Sequence, residues 1–339
     1  MNIQEIKTAA VVGTTSWGTT LAILLARKGL SVQLLARTDE EAEILIKAAE
    51  NSRFTPGVPF PNTLTVTSSP KIAIGSADVV VIAVPSSTIR ANIRHISSFI
   101  KPEAILVSAT KGLEIKTGLR ITEMISEELE VDWNGTLCVL SGPNLANEIL
   151  QGKPSTTVIA SDSESQAKKI QSVFSSEVFR VYTNNDIVGV ELGGALKNVF
   201  AIGAGICDGT KVGDNAKAAF VTRGLAEMVR LSAEAGGNPL TIAGLAGMGE
   251  MIATCYSELS RNRTVGFKLA SGMELNNLLQ SMNQVAEGVG TTAAVVELSN
   301  RLKVDMPITK CTYGILYENL SIKAAMSGLL GRNPASEWN

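Results

Sequence analysis

The chain of 339 residues carries 30 basic and 32 acidic side chains, which gives a net charge of −2, and 45% of its residues are hydrophobic. This length and composition predict a globular protein of two domains, each large enough to bury its own core. Because basic residues are not in excess, the composition argues against a nucleic-acid partner and against attraction to an anionic membrane.

The cysteines and the first residues bear on the cellular compartment. Cys138, Cys207, Cys255 and Cys311 are far apart and form no C-x-x-C pair, which argues against a zinc site and a disulfide framework. The opening segment "MNIQEIKTAAVVG" lacks the basic stretch, apolar run and cleavage site of a signal peptide. We therefore expect a cytoplasmic protein with reduced cysteines and no metal.

The first half of the chain alternates strand and helix patterns. The segment "AAVVG" predicts a strand, "WGTTLAILLARKG" a helix, "SVQLLAR" a second strand and "DEEAEILIKAAE" a second helix. The runs "DVVVIAVP" and "AILVSATKG" are typical of strands buried on both faces, and "LCVLSGP", "TTVIAS" and "FRVYT" predict further strands. This alternation predicts a parallel, doubly wound sheet.

From about Asn184 onward, long helical patterns replace the strand patterns. The fold class is therefore α/β: a Rossmann-like doubly wound sheet in residues 1–185, then an all-helical domain in residues 186–339, with a ligand cleft between them. The apolar run from Ile187 to Cys207 approaches membrane-spanning length, but it contains Glu191 and Lys197 and several glycines. We expect a buried core helix and no stable membrane insertion.

The first strand leads into a glycine turn that departs from the dinucleotide fingerprint G-x-G-x-x-G. Gly13 and Gly18 keep the first and third glycines, which make the tight turn and allow close packing of helix and strand, but Thr15 replaces the second. Helix N-terminal N–H groups can still bind phosphate, and a threonine hydroxyl is a further donor. A glycine-rich turn that binds no ligand remains the alternative.

The second strand ends at Arg37 and Thr38, where an NAD-specific site usually carries an acidic residue for the ribose 2′-hydroxyl. An arginine here can pair with a 2′-phosphate, which favours NADP over NAD. A solvated arginine at the end of a strand is the competing interpretation.

Six segments, in this order along the chain, resemble one family: "GTTSWGT", "SATKG" (108–112), "SGPNLANE" (141–148), "ELGGALKN" (191–198), "GMGEMIATCYSELSRNRTVG" (247–266) and "AEGVGT" (286–291). They are similar to the NAD(P)-dependent glycerol-3-phosphate dehydrogenases of the soluble bacterial type. The resemblance implies reversible hydride transfer between sn-glycerol 3-phosphate and dihydroxyacetone phosphate, which supplies glycerophospholipid synthesis. It also implies a homodimer.

This chemistry needs a proton donor at the ketone oxygen, or a base when the alcohol is oxidised. The only histidine, His95, lies on an apparent amphipathic helix, where we expect an ordinary surface residue. Lys197 lies in the apolar segment "GGALKNVFAIGAG", and burial lowers the pKa of a lysine from its reference value near 10.4. The resemblance makes Lys197 the proton acceptor of the oxidative direction.

The segment "SELSRNR" supplies donors for a substrate phosphate. The resemblance assigns the phosphate to Arg261 and Asn262, with Ser260 beside them, whereas we expect Arg263 to be a surface charge. Lys111 follows the strand "AILVSAT" at its carboxyl end, where open α/β sheets bind ligands.

The resemblance further divides the site residues into a substrate set and a cofactor set. The substrate set is Lys111, Gly142, Asn144, Lys197, Glu250, Thr254, Ser260, Arg261 and Asn262. The cofactor set is Gly13, Thr15, Ser16, Trp17, Gly18, Arg37, Thr38, Phe54, Lys111, Ala146, Arg261, Val285 and Glu287. Three of these positions depart from the family pattern: Thr15 stands for glycine, Glu250 for aspartate and Phe54 for tyrosine.

Two other functions stay open. A related dehydrogenase of a hydroxy acid would share the fold, and its carboxylate substrate could also use Arg261. A non-catalytic nucleotide sensor would share the fold but is expected to lose the catalytic lysine, whereas Lys197 is present.

Overall fold

The computed structural model describes residues 6–129, 133–282, 285–333 and 336–337. Within them the strands are β1 Thr8–Val12, β2 Ser31–Leu35, β3 Leu64–Thr67, β4 Val79–Ile82, β5 Ile105–Ser108, β6 Thr136–Ser141, β7 Ser155–Ala160 and β8 Phe179–Asn184. They form an 8-stranded sheet in the order β3-β2-β1-β4-β5-β6-β7-β8.

Helices in the sheet region are α1 Ser16–Arg27, α2 Asp39–Ala48, α3 Pro70–Ile74, α4 Ile89–Ile96, α5 Ile121–Glu128, α6 Ala146–Leu150 and α7 Glu164–Phe174. The helices that follow are α8 Ile187–Thr210, α9 Asp214–Glu234, α10 Pro239–Ile242, α11 Glu250–Tyr256, α12 Arg261–Ala270, α13 Leu275–Gln280, α14 Glu287–Leu302, α15 Pro307–Tyr317 and α16 Ile322–Leu330. Short turns of 3₁₀-helix occupy Ser86–Thr88 and Ser97–Phe99, and a π-helical turn, Leu245–Gly249, precedes α11. The predicted fold class, a Rossmann-like sheet followed by helices, is confirmed.

Alternate residues of the central strands pack into different cores, as a doubly wound sheet requires. Val11 and Val81 face the core that includes α1 and α7, whereas Val12 and Ile82 face the core that includes α4 and α5. Strands buried on both faces therefore read as continuous apolar runs.

The sheet departs from the prediction at its end. Strands β1 to β6 run parallel, but β7 pairs antiparallel with β6, and β8 runs parallel to β7. A parallel crossover needs an element that carries the chain back along the sheet, and α6 between β6 and β7 has only 5 residues. Strand β3 was not among the predicted strands; its short "LTVT" alternates buried and partly exposed residues.

Helix α8 is the core helix that the apolar run predicted. Its most apolar stretch of 18 residues is 83% buried inside the protein. Helix α12 crosses it at glycines: a Cβ on Gly266 would lie 1.8 Å from the Ile202 carbonyl oxygen, and one on Gly205 would lie 1.9 Å from that of Arg263. The two backbones therefore touch, and this fixes the first turn of α12 relative to α8.

A buried carboxylate joins α8 to the sheet region. Glu191 accepts hydrogen bonds from Arg120 Nη1 at 2.7 Å and from the Thr122 hydroxyl at 2.6 Å, both near the start of α5. Because a buried charge must be paired, this contact holds the helical region against the sheet.

Candidate active site

The glycine turn after β1 has the geometry that its two glycines require. Gly13 has a φ of 109°, and a Cβ there would lie 2.7 Å from the Ala83 carbonyl oxygen. A Cβ on Gly18 would lie 2.1 Å from the Gly13 carbonyl oxygen. Any side chain at either position would force the turn apart, since these neighbours are backbone atoms.

Thr15 needs no glycine-like conformation, because its φ is −65° and it caps α1. Its hydroxyl accepts a hydrogen bond from the Gly18 N–H at 3.0 Å and donates to the Ala83 carbonyl oxygen at 2.9 Å. The suggested donation from this hydroxyl to a phosphate does not match the structure, since its one hydrogen is used inside the protein.

The turn still fits a dinucleotide diphosphate. The first intrahelical bond of α1 runs from the Thr19 N–H to the Thr15 carbonyl oxygen, so the N–H groups of Ser16 and Trp17 have no carbonyl partner in the helix. In the part of the chain that the structure describes, the buried Trp17 Nε1 also has no acceptor. Helix N-terminal N–H groups of this kind bind phosphate oxygens.

The predicted cofactor residues Arg37, Thr38 and Phe54 lie at the carboxyl end of β2 and beyond. The Arg37 side chain is 78% exposed and therefore free to approach a ligand. Thr38 caps α2 by accepting the Glu41 N–H at 3.2 Å. Phe54 is partly buried, with the Arg53 guanidinium 4.9 Å from its ring centre.

Two lysines and one carboxylate meet beyond the carboxyl ends of β5 and β6. Lys197 Nζ donates to Glu250 Oε2 at 2.5 Å, and Lys111 Nζ donates to Glu250 Oε1. The Gly142 N–H also donates to Glu250 Oε1, at 3.0 Å. The predicted Lys111, Gly142, Lys197 and Glu250 therefore form one cluster, and its carboxylate bridges the sheet region and α8.

Burial and pairing set the charges of this cluster. Burial lowers the pKa of Lys111 to about 8, although the Glu250 carboxylate opposes this shift. Burial alone would raise the pKa of Glu250, but the charges of Lys111 and Lys197 outweigh it and hold that pKa below its ordinary value. The cluster thus combines an ionised carboxylate with a lysine, Lys111, that loses its proton at a lower pH than an ordinary lysine does.

The predicted phosphate residues lie at the start of α12. Arg261 is exposed, and its guanidinium donates to the Val285 carbonyl oxygen at 3.0 Å. Burial raises the pKa of Glu287, and the positive charges of Arg261, Lys197 and Lys111 partly counter this rise. Arg261 and Glu287 are therefore close enough to the two lysines for their charges to interact.

The Asn262 amide is already bonded inside the protein. Its Nδ2 donates to Asn198 Oδ1 at 2.9 Å, and its Oδ1 accepts the Gly288 N–H at 3.0 Å. One amide hydrogen remains for a ligand. Ser260 is buried and caps α12 by accepting the Arg263 N–H at 3.3 Å.

Two further residues of the motifs make hydrogen bonds inside the protein. Asn144 donates to the Thr156 carbonyl oxygen at 2.9 Å and accepts the Thr157 hydroxyl at 2.9 Å, so its amide holds the turn after β6 against β7 and keeps one hydrogen for a ligand. Arg263 is not a surface charge: its side chain is only 19% exposed and donates to Asp208 at 2.6 Å.

Three more predicted residues lie on α11, on α6 and just before α14. Thr254 is buried in α11, Ala146 is the first residue of α6, and Val285 is 60% exposed. His95, expected on a helix surface, is exposed on α4. Among the described residues, no group of three or more histidine, cysteine, aspartate or glutamate side chains is placed to hold a metal ion.

Two residues at the site were missed by the prediction. The Ser141 hydroxyl lies 3.4 Å from Glu250 Oε1, and Asn198 positions Asn262. Both lie inside motifs that the sequence singled out, next to Gly142 and Lys197, so adjacency within those motifs was the available signal.

Comparison with known proteins agrees with this arrangement. Residues 8–167 match the family model described as NAD-dependent glycerol-3-phosphate dehydrogenase N-terminus, and residues 186–327 match the model of its C-terminus. The chain belongs to this family. The resemblance inferred from the motifs is therefore confirmed.

Relatives and solved structures support the same assignment. The chain is 47% identical over 328 residues to a glycerol-3-phosphate dehydrogenase [NAD(P)+] of Dehalococcoides mccartyi, covering 96% of this chain and 91% of the relative. It is 46% identical to one from Prosthecochloris aestuarii, covering 96% and 98%. The crystal structure of glycerol-3-phosphate dehydrogenase from Coxiella burnetii has a TM-score of 0.92 at 36% identity and covers 96% of this chain and 99% of its own.

Proposed function

We propose that this protein interconverts sn-glycerol 3-phosphate and dihydroxyacetone phosphate by hydride transfer with NAD(P)(H), and that it supplies glycerol 3-phosphate for glycerophospholipid synthesis. The observation that carries the proposal is the buried Glu250 carboxylate between Lys111 and Lys197, at the ligand-binding edge of a family-typical sheet. A non-catalytic sensor would have no use for this paired arrangement.

Lys197 moves the proton in this mechanism. A nicotinamide cofactor, when bound, would supply the hydride for ketone reduction and would accept it in alcohol oxidation. Lys197 donates a proton to the substrate C2 oxygen in reduction and accepts it in oxidation. Glu250 holds the Lys197 ammonium in place at 2.5 Å.

Lys111 supplies positive charge at the oxygen where negative charge develops. Its ammonium also donates to the Gly142 carbonyl oxygen at 3.2 Å, which fixes its position at the end of β5. Because the Lys111 side chain is largely buried, this charge is more effective than it would be in solution.

The start of α12 holds the substrate phosphate. Arg261 is exposed and reaches it by releasing the Val285 carbonyl oxygen, Asn262 contributes its remaining amide hydrogen, and Ser260 lies beside them. Gly142, Asn144 and Thr254 line the same substrate site.

The glycine turn and the lysine cluster would hold the two ends of the cofactor. The N–H groups of Ser16 and Trp17 would bind its diphosphate, with Thr15 as the helix cap, and Arg37 would pair with the 2′-phosphate of NADP. The other proposed contacts are Gly13, Gly18, Thr38, Phe54, Lys111, Ala146, Arg261, Val285 and Glu287.

Three further proposals concern the whole protein. The dinucleotide domain spans residues 1–185 and the catalytic domain 186–339. The protein is a cytoplasmic homodimer. Size-exclusion chromatography with light scattering tests the dimer.

Oxidation of NADPH or NADH on addition of dihydroxyacetone phosphate tests the activity. Unphosphorylated dihydroxyacetone is the matched control, because it carries the same ketone without the group that Arg261 binds. We expect turnover with dihydroxyacetone phosphate and none with dihydroxyacetone. Equal rates on the two ketones would rule out the phosphate site, and turnover of a hydroxy acid alone would favour the related dehydrogenase.

A further inference from the structure

A carboxylate from α2 occupies the space between the glycine turn and the end of β2. Glu41 Oε1 accepts the Thr14 hydroxyl at 2.7 Å, and Oε2 accepts the Arg37 N–H at 2.9 Å. The Glu41 side chain is 22% exposed, so a ligand on this edge can reach it.

This contact differs from ordinary helix capping. The sequence from Thr38 to Glu41 has the form of a capping box, in which the glutamate side chain returns to the N–H of the capping residue. Here the Glu41 carboxylate reaches past that residue to the Arg37 N–H and across to Thr14, which belongs to the glycine turn. The helix cap itself needs only the Thr38 hydroxyl.

Thr14, which donates a hydrogen bond to the Glu41 carboxylate, is itself held in place by Asn51. Asn51 is buried, and its Nδ2 donates to the Thr14 carbonyl oxygen at 2.8 Å and to the Thr19 hydroxyl at 2.8 Å. Thr14 therefore cannot move away from Glu41 without breaking a buried polar contact.

In Rossmann sites the adenosine ribose of a dinucleotide binds between the glycine turn and the end of the second strand. In Rossmann sites an acidic residue at the end of the second strand binds the ribose 2′-hydroxyl, whereas an arginine there accommodates a 2′-phosphate. This chain has an arginine at the end of the strand and a carboxylate that α2 brings to the same point. Arg37 Nε lies 3.8 Å from Glu41 Oε2, so the two opposite charges share the site.

We propose that Glu41 determines cofactor selectivity by accepting a hydrogen bond from the ribose 2′-hydroxyl of NAD(H) and by repelling the 2′-phosphate of NADP(H). Glu41 thus opposes Arg37, and the balance of the two lets the site bind both cofactors. This inference rests on the proposed function only in so far as the turn binds a dinucleotide.

The test is fluorescence titration of the full-length protein with NADH and with NADPH, in the absence of substrate. Glu41→Gln keeps the shape and removes the charge. We expect the Kd for NADPH to fall about three- to tenfold, because a carboxylate close to a phosphate is removed. The Kd for NADH is expected to rise about twofold to fourfold, as a charged hydrogen bond becomes a neutral one.

Two further variants complete the design. Glu40→Gln removes an exposed charge from the same helical turn and is expected to change both Kd values by less than about twofold. Glu41→Ala is also expected to lower the Kd for NADPH. It should raise the Kd for NADH more than Glu41→Gln does, because alanine provides no hydrogen-bond acceptor for the ribose hydroxyl. Thermal unfolding of each variant without cofactor checks the fold.

The ratio of the two Kd values decides the outcome. A shift of this ratio toward NADPH in both Glu41 variants, with none in Glu40→Gln, supports the proposal. Equal changes for both cofactors, or none, overturn it and leave Glu41 a purely structural contact. Activity on dihydroxyacetone phosphate is measured separately, so a protein that binds both cofactors but reduces no ketone would refute the proposed function and not this inference.

Discussion

Replacing Glu250 by glutamine removes the charge that holds the two active-site lysines. The Glu250 side chain is 1% exposed, and its oxygens accept hydrogen bonds from Lys111, Lys197 and the Gly142 N–H. Glutamine has one acceptor oxygen, so its NH₂ group must face at least one donor. We therefore expect a loss of stability together with a loss of turnover.

The magnitude follows from the lysines that remain. Breaking a buried ion pair by removing one partner costs about 3–5 kcal/mol when the other charge is left buried. Here Lys111 can avoid much of this cost by losing its proton, because burial has already lowered its pKa to about 8. At pH 7, one unit below this pKa, deprotonating Lys111 costs about 1.4 kcal/mol. We expect the free energy of unfolding to fall by about 1–3 kcal/mol at pH 7.

Urea denaturation at pH 7 and at pH 9 measures this loss. At pH 9, above the pKa of Lys111, that lysine is largely neutral in the native wild-type protein, so its pairing with Glu250 contributes less. The difference between wild type and Glu250→Gln should therefore shrink as the pH rises. Glu40→Gln, an exposed change, is the matched control. A loss that is absent at pH 7, or that is as large at pH 9, would refute this reasoning.

Three further predictions follow from the same contacts. Lys197→Met should lower kcat by about 10²- to 10⁴-fold with an unchanged circular dichroism spectrum. The control Lys268→Met, in the last turn of α12, should keep full turnover. A Lys197 variant that turns over normally would contradict the role of this lysine. The KM for dihydroxyacetone phosphate should rise above about pH 8 as Lys111 loses its charge, and Lys111→Arg should move this rise to higher pH; an unchanged profile in steady-state assays would contradict the assignment. Thr15→Gly should change the binding free energy of NADH by no more than about 0.5–1.5 kcal/mol. Gly18→Val should abolish cofactor binding, since its Cβ would lie 2.1 Å from a backbone oxygen. Fluorescence titration measures both variants, and comparable losses of affinity would contradict the role given to the turn.

The sequence predicts those parts of the fold that depend on local pattern. Continuous apolar runs identified the buried strands, and the run around Lys197 identified the core helix α8. Strand direction at the end of the sheet was not accessible, because it depends on how far the segment around α6 carries the chain. The edge strand β3 was missed because only Leu64 and Val66 of its four residues are buried, so its segment carries no continuous apolar run.

At the candidate site, the motifs named the right lysines but not the partners of every polar group. Glu250 is 53 residues from Lys197 along the chain and 139 from Lys111, so only the fold brings them together. The expectation for Arg263 was wrong. Its place in the motif suggested a surface charge, but its side chain is largely buried and donates to Asp208.

The glycine crossing of α8 and α12 limits how this enzyme can evolve. Because the Gly266 position touches the Ile202 carbonyl oxygen and the Gly205 position touches that of Arg263, a larger residue at either glycine would push the helices apart. Helix α12 therefore cannot be shifted by small steps to fit a longer or shorter substrate. Changes of substrate range must come from exchanging the side chains at its first turn, while the distance between that turn and Lys197 is inherited unchanged.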